Sequence, residues 1–457
     1  MPMTITEKIL ARRADRAAVA PGENVWVDVD VLLTHDVCGP GSIGVFHKQF
    51  GPDAKVWDPD KVVIIPDHYI FTADPKAHRN LEILRAFAAR QGLRHFYDAD
   101  FATGDGIPAP YADPSATPYK GVCHVALPAS GHARPGEVLL GTDSHTCTHG
   151  AFGEFATGIG NTEAGFVMGA GRLWLRVPPT RRFVFTGSLP PFLMAKDLIL
   201  HVIGAIGTDG ATYMAMEFAG EALYGLNVEE RMTITNMAVE AGAKNGIIPP
   251  DDVTVEWVHR RTDVPFEAVV GDADAVVVDE MTIDVSALAP TVACPHSPGH
   301  RAAAADLTDV AVDRVYIGSC TGGKTTDFIA AAHLLAGKEV RAETFIVPAT
   351  TDVDADLDRC RVGQRSLREV FAAAGCRIGP ASCAACLGGP PDTFGRANEP
   401  LTVVSTTNRN FPGRMGHKDA RVYLASPLTA AASALAGHVA DPRDYVDFDR
   451  PVGAIDG

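Results

Sequence analysis

Short apolar runs alternate with helix-period segments along most of this chain. The clearest runs are Val62–Ile65, Val138–Leu140, Phe183–Phe185, Ala275–Val278, Val315–Ile317, Thr344–Val347 and Thr402–Val404. Between them, Leu81–Arg90 and Lys196–Ile206 read as helices; in the second, Leu198, Ile199, Val202, Ile203 and Ile206 form one apolar stripe. Strands that alternate with helices predict βαβ units, parallel sheets and an α/β fold class. The first twenty residues read as a short amphipathic helix capped at Thr6. Two Pro-rich stretches, Val177-Pro178-Pro179-Thr180 and Ala289-Pro290 through Gly299, interrupt the pattern. Proline discourages both helix continuation and central strands, so these stretches predict boundaries and three segments, 1–178, 179–288 and 289–457.

Polar clusters fall just beyond four of the predicted strands. Asp67-His68 follows Val62–Ile65 after Pro66, and Thr142-Asp143-Ser144-His145 follows Val138–Gly141. Ser319-Cys320 follows Val315–Ile317, and Thr406-Thr407-Asn408-Arg409 follows Thr402–Val404. Open α/β sheets build their sites at the carboxyl ends of strands. One such placement is common by chance, whereas four together point to one composite active site.

Totals narrow the function classes. The 457 residues carry a formal charge of −16, which argues against a nucleic-acid surface, because phosphate binding needs clustered Lys and Arg. A small anionic substrate stays open, since a few local arginines overcome a distant negative field. No run approaches the ~20 apolar residues of a membrane span. The N-terminus lacks the apolar stretch of a signal peptide; Arg12, Arg13 and Arg16 hint at a transit peptide, but Glu7 and Asp15 weaken it. The nine cysteines are odd in number and scattered, unlike a secreted disulfide framework, so a reducing cytoplasm is expected.

Cys383-Ala384-Ala385-Cys386, with Cys320, is the candidate metal centre. Three thiolates without an evident fourth suit an iron–sulfur cluster that keeps one iron open to substrate. On the cysteines alone, a zinc site with a recruited fourth ligand, a redox pair and inert buried thiols all remain open. His145 and His149 form H-x-x-x-H without the glutamate of a metalloprotease, and Asp143-Ser144 before them reads as a helix cap, so zinc is not expected there. Asp67-His68, Asp143 with His145, and His124 offer Asp–His pairs, in which a carboxylate fixes the imidazole tautomer and raises its basicity. Asn236 and Glu240, four apart, fall on one helical face, with a solvated glutamate as the ordinary alternative. Arg409 and Arg414 flank a turn; two guanidinium forks suit a dicarboxylate, although surface arginines are common.

Taken together, these stretches resemble the large subunits of 3-isopropylmalate dehydratases, in the aconitase superfamily. The resemblance rests on Thr6–Leu10, Pro66-Asp67-His68-Tyr69, Asp143 to Gly150, Asn236 to Gly242, Ile317 to Thr321, Cys383–Cys386, and Asn408 to Lys418, and so covers nearly the whole chain. It implies three α/β domains, with mainly parallel sheets, around a 4Fe–4S cluster held by Cys320, Cys383 and Cys386. It also implies acid–base pairs Asp67–His68, Asp143–His124 and Glu240–His145, with Ser144, Asn236, Arg409 and Arg414 binding a small hydroxy-dicarboxylate. The implied reaction is the hydro-lyase isomerisation of 2- and 3-isopropylmalate in leucine biosynthesis. Homoaconitate, methylmalate or dimethylmalate are alternative substrates, and a non-catalytic protein of the same fold is the alternative from another class. Two departures stand out. Thr321 is followed by Gly322-Gly323-Lys324 rather than by the Asn usual in aconitases, and there is no Gly-Ser-Ser-Arg loop to carry the base of a swivelling domain. The base is therefore expected from a separate small subunit, without which the chain would not turn over.

Overall fold

The computed structural model describes residues 1–99 and 119–445. It divides into two compact units, Met1–Thr186 with Ala211–Ile283, and Gly187–Gly210 with Asp284–Gly457. Packing, rather than the Pro-rich breaks, decides where residues 187–210 belong. Their helix Ala195–Ile206 lies against the first strand after Pro290, and Asp197 Oδ1 accepts the Thr291 N–H at 2.9 Å.

The first unit contains β1 (Asn24–Asp28), β2 (Val31–Thr34), β3 (Val62–Ile64), β4 (His95–Phe96), β5 (Val138–Gly141), β6 (Phe155–Gly158), β7 (Arg172–Arg176), β8 (Thr180–Thr186), β9 (Ala215–Ala219), β10 (Asn245–Ile247) and β11 (Asp279–Asp284). Its main sheet has the order β4-β3-β2-β5-β6 and is parallel throughout. β2, β3 and β5 are buried at every position, as expected of strands covered on both faces. A second sheet, β10-β9-β8-β11, and an antiparallel β1–β7 ribbon complete the unit. In the ribbon, Val25, Val27, Leu173 and Leu175 face inward while Trp26 and Trp174 pair on the exposed face.

Two sequence expectations fail here, each for a local reason. Ala275–Val278 is not a strand: Val276 and Val278 are 80% and 60% exposed, and the strand begins only at Asp279. The run buries only Ala275, and its Val278 N–H bonds Thr180 O as a lead-in to β11, so apolar character did not mean burial. The first helix, Ile5–Arg13, is capped by Thr4 rather than Thr6. Thr4 Oγ1 accepts the Glu7 N–H at 3.3 Å and the Glu7 carboxylate accepts the Thr4 N–H at 2.8 Å. This reciprocal box needs an acid three residues after the cap, which Thr4 has and Thr6 lacks.

The second unit contains β12 (Thr291–Ala293), β13 (Arg301–Ala303), β14 (Arg314–Gly318), β15 (Glu343–Val347), β16 (Arg361–Val362), β17 (Arg365–Ser366), β18 (Arg377–Ile378), β19 (Thr402–Ser405) and β20 (Arg421–Leu424). Its sheet runs β13-β12-β20-β19-β14-β15-β18, parallel from β20 to β18 with an antiparallel β12–β13 edge. Helix Pro427–Ala436 is buried along its whole length, and its alanines allow close approach to Thr325–Leu335 around Phe328, Ala331 and Leu335. Among the described residues, no helix is long and apolar enough to cross a membrane.

The cap assignment has a direct test. Thr4→Val should lower stability by about 1 kcal/mol, the usual loss of an N-cap side chain. Thr6→Val should be neutral or stabilising in the same denaturant titration, because the Thr6 hydroxyl is buried without a partner among the described residues. Equal destabilisation by both would reassign the cap.

Candidate active site

In the first unit, three strand-end loops converge. Asp36, two residues past β2, acts as a template for the loop after β3. Its Oδ1 accepts the N–H groups of Asp67 and His68 at 2.9 and 3.0 Å, and its Oδ2 accepts that of Tyr69 at 2.6 Å. Asp67 Oδ1 then holds His68 Nδ1 at 2.5 Å, while Oδ2 accepts the Cys123 N–H at 2.7 Å. That second bond fixes the start of helix Cys123–Ala129, which carries His124. His124 Nε2 reaches Asp143 Oδ1 at 3.0 Å. Asp143 follows β5 and caps the short 3-10 helix Ser144–Phe152, accepting the His145 N–H at 2.7 Å. His145 Nε2 in turn meets Glu240 Oε1 at 2.8 Å.

Asp143 is the hub. Besides His124 and His145, His35 Nε2 and His68 Nε2 each lie 3.9 Å from its Oδ2, and its side chain keeps 19% exposure. Burial opposes its charge, yet His124 and His145 hold its carboxyl well below the usual range. Burial also opposes a charged His68, but the Asp67 carboxylate and its hydrogen bond, followed by Asp36 and Asp143, raise it to about 10. His35 is lowered, by burial and then by His68. The Val37 N–H points at its Nδ1 at 3.3 Å, so its hydrogen sits on Nε2, facing Asp143. Ligand atoms of His35, Asp36, Asp67 and His68 lie within 4.8 Å of one another, a spacing that could hold a metal ion. The carboxylate oxygens of Asp36 and Asp67 are already taken by backbone N–H groups and by His68, so the quartet reads as a hydrogen-bond network.

In the second unit, β14 ends at Gly318 and the chain turns through Ser319 at φ +75°, delivering Cys320. Thr406, just past β19, locks this turn: its Oγ1 accepts the Gly318 N–H and donates to Gly318 O, both at 2.9 Å. A Cβ on Gly322 would stand 2.1 Å from Thr406 Oγ1, so the Gly-Gly after Thr321 is a packing requirement of this loop. Cys320, Cys383 and Cys386 are buried at 1%, 6% and 2% exposure. Asn408 bridges two of them, its Nδ2 donating to Cys320 Sγ and its Oδ1 accepting from Cys386 Sγ, each at 3.5 Å. Ser319 Oγ lies 3.6 Å from Cys320 Sγ and 3.7 Å from Cys386 Sγ. Two buried lysines brace the loops around the thiols. Lys196 Nζ donates to Thr407 O, Thr406 O and Thr321 Oγ1 at 2.6, 3.1 and 3.2 Å, and Lys324 Nζ donates to Cys320 O at 3.1 Å. Burial pulls Lys196 down to about 7 against the pull of the Cys320 thiol. Arg409 and Arg414 are both half-buried, and Asn410 between them is pinned to Cys294 O and Val422 O at 2.8 and 3.1 Å.

Each candidate residue thus has a place. Asp67–His68, His124–Asp143 and His145–Glu240 are at hydrogen-bond distance in the first unit, and the cysteines and arginines belong to the second. Ser144 is half-buried, its Oγ 3.4 Å from His145 Nδ1. Asn236 and Glu240 do not share one α-helix: the helix Val228–Asn236 gives way to a 3-10 turn, Met237–Ala241. Asn236 is fully buried and donates to Thr148 Oγ1 at 2.7 Å, while Glu240 is 4% exposed, not solvated. Sequence reasoning passed over His35, Asp36, Lys196 and Asn408. His35-Asp36 follows the buried β2 run Val31–Thr34 and Asn408 sits in a noted motif, so both had a strand-end signal; Lys196, inside an apolar helical stripe, had none.

Asp67→Asn should lower the His68 pKa by about 1–3 units, the usual effect of removing an adjacent opposite charge, read by NMR of the labelled imidazole. The native pair's contribution to stability is complete between the ordinary Asp value of 3.8 and the unfolded His value of 6.5; it is lost as pH rises through about 10 and as pH falls from 3.8 through the lowered Asp67 value. An unchanged His68 titration in the variant would show that Asp67 is not the cause.

Comparison with known proteins adds the lineage. A model of the aconitase family (aconitate hydratase) matches residues 7–308 and 300–437. The chain is 58% identical over 452 residues, 97% of its length and 87% of the relative's, to the chloroplastic 3-isopropylmalate dehydratase large subunit of Arabidopsis thaliana. It is 43% identical over 448 residues, 98% of its length and all of the relative's, to 3-isopropylmalate dehydratase large subunit 1 of Methanopyrus kandleri. The probable 3-isopropylmalate dehydratase large subunit of Methanothermobacter thermautotrophicus is also 43% identical, over 97% of this chain and 99% of that one. The match extends over nearly all of both units: the chain belongs to the aconitase family, among the large subunits of 3-isopropylmalate dehydratase.

Proposed function

We infer that the chain is the cluster-bearing large subunit of a hydro-lyase that interconverts 2- and 3-isopropylmalate by dehydration and rehydration, a step of leucine biosynthesis. The observation that carries this reading is the full-length identity with relatives of that name. A 4Fe–4S cluster on Cys320, Cys383 and Cys386 fits the donor set. All three sulfurs are buried, and Asn408 and Ser319 link two of them. A single zinc ion would need sulfurs about 3.8 Å apart, from Zn–S bonds of ~2.3 Å in a tetrahedron. Among the described residues, the one group with three or more ligand atoms all within 4.8 Å is His35, Asp36, Asp67 and His68, so the cysteine sulfurs suit a polynuclear group better than one ion.

When bound, the cluster supplies an electrophilic iron for the substrate's hydroxyl and carboxylate, with no net redox change. The chain's own residues supply the rest. His68 holds its Nδ1 against Asp67 and carries a proton at neutral pH, so its Nε2 is the donor to the departing oxygen. Asp143 keeps that imidazolium favourable from the Nε2 side, and Glu240 orients His145 from the opposite ring nitrogen. Arg409 and Arg414, on a turn pinned by Asn410, grip the substrate carboxylates. The base that takes the carbon proton is assigned to a separate small subunit, because the relatives are named large subunits. A cytoplasmic location follows from the scattered cysteines, although the Arabidopsis relative is named chloroplastic.

Anaerobically purified chain should be brown, with about four iron and four sulfide per chain. Cys383→Ser should retain native circular dichroism and lose the brown chromophore; a retained cluster would remove Cys383 from the ligand set. Supplied with a co-purifying partner of ~20 kDa, within single-domain size, the chain should turn over 3-isopropylmalate in preference to cis-homoaconitate. Preference for the longer acid would overturn the substrate assignment.

A further inference from the structure

Tyr316 lies in the middle of β14, two residues before Gly318 and four before Cys320. Side chains alternate along a strand, so Tyr316 and Gly318 share a face. The ring runs along that face toward the strand's carboxyl end. Its Cε1 is 2.9 Å from where a Gly318 Cβ would stand, and its Cε2 is 2.8 Å from the corresponding point at Gly395. Both ε carbons flank the carbon that bears the hydroxyl. The hydroxyl end is therefore held between the loop that delivers Cys320 and the segment that follows Cys383–Cys386.

Tyr316 is fully buried, and its Oη has no hydrogen-bond partner among the described residues. An unpaired buried hydroxyl carries a desolvation cost that a phenylalanine of the same shape would avoid. Burial, followed by the charges of Cys383, Cys386 and Cys320, holds the phenol well above its ordinary range. The group is thus a persistent O–H donor in the electrostatic field of all three thiols, and none of their sulfurs is its acceptor.

We propose that Tyr316 donates its hydroxyl hydrogen to an inorganic sulfide of the iron–sulfur cluster held by these cysteines, as a positioning residue that tunes the cluster without touching substrate. The assignment rests on the cluster reading above. A hydrogen bond to sulfur favours the more negative, reduced cluster and raises its reduction potential. It also restrains the cluster against the shell of Asn408 and Ser319 contacts, an outer-sphere role of the kind that orients metal ligands elsewhere.

The test compares the anaerobically purified full chain with its Tyr316→Phe variant. The readouts are iron and sulfide content, resonance Raman spectra in H2O and D2O, and a reductive titration followed by electron paramagnetic resonance. Wild-type protein should show a deuterium-sensitive bridging Fe–S mode, and the variant should keep its iron and sulfide but lose that sensitivity. At a fixed solution potential the variant's reduced-to-oxidised ratio should fall about tenfold, ~59 mV for a one-electron couple, as expected for loss of one hydrogen bond to a charged group. Absence of a deuterium shift in the wild type overturns the proposal whatever the variant does, as does an identical shift and potential in both proteins. Wild-type protein that contains zinc and no sulfide would instead remove the cluster reading itself.

Discussion

A partly exposed carboxylate, Asp143, stands within 3.9 Å of ring nitrogens on His35, His68, His124 and His145. Four imidazoles crowded into one buried region would ordinarily repel any shared positive charge. Asp143 changes that balance, and Asp67 and Glu240 add one carboxylate each to His68 and His145. His68 keeps its proton at neutral pH while His35 and His149 are driven neutral by burial. The first unit thus separates imidazoles of similar intrinsic acidity into a proton donor and neutral neighbours. It does so by placing carboxylates beside His68 and by burying His35 and His149, rather than by changing residue type.

The loops that hold these groups depend on backbone templating. Asp36 spends its carboxylate on three consecutive N–H groups, and Thr406 makes two bonds to Gly318. Such bonds leave little freedom to the turns after β3 and β14, where the chemistry-bearing residues lie. Small residues are the counterpart of this templating. Gly322 admits the Thr406 hydroxyl, and Gly150 approaches Gly246 so closely that a Cβ would stand 1.6 Å from its carbonyl oxygen. In both places the motif glycine answers a contact from a distant part of the chain.

Charge is distributed differently in the second unit. Three thiols are buried beside two buried lysines, each of which donates to backbone carbonyls of the cysteine-bearing and neighbouring loops. Burial draws Lys196 down to about 7, and Lys324 Nζ is paired with the Asp327 carboxylate at 2.9 Å, so these lysines tie the loops together more than they add net positive charge. They act from inside the fold, whereas Arg409 and Arg414 remain half-buried at a turn.

Legible in the sequence were the α/β class, the parallel strands that carry the chemistry, and the strand-end placement of Asp67-His68, Asp143, Cys320 and Asn408-Arg409. These follow from local patterns: apolar runs of strand length, and polar clusters immediately after them. It misread Ala275–Val278, because hydrophobicity reports a preference for burial and not whether a neighbour is there to bury it. The first cap lies two residues earlier than the local pattern suggests, because Glu7 closes the box on Thr4. Packing alone set the pairing of partners far apart in the chain: Cys123 with Asp67, His145 with Glu240, Lys196 with Thr407, and Asn408 with two cysteines. Residue spacing along the chain carries no distance across it. Lys196 makes the point most plainly: in the sequence it opens an apolar helical stripe, and only packing turns its ammonium group onto the carbonyls beside Cys320.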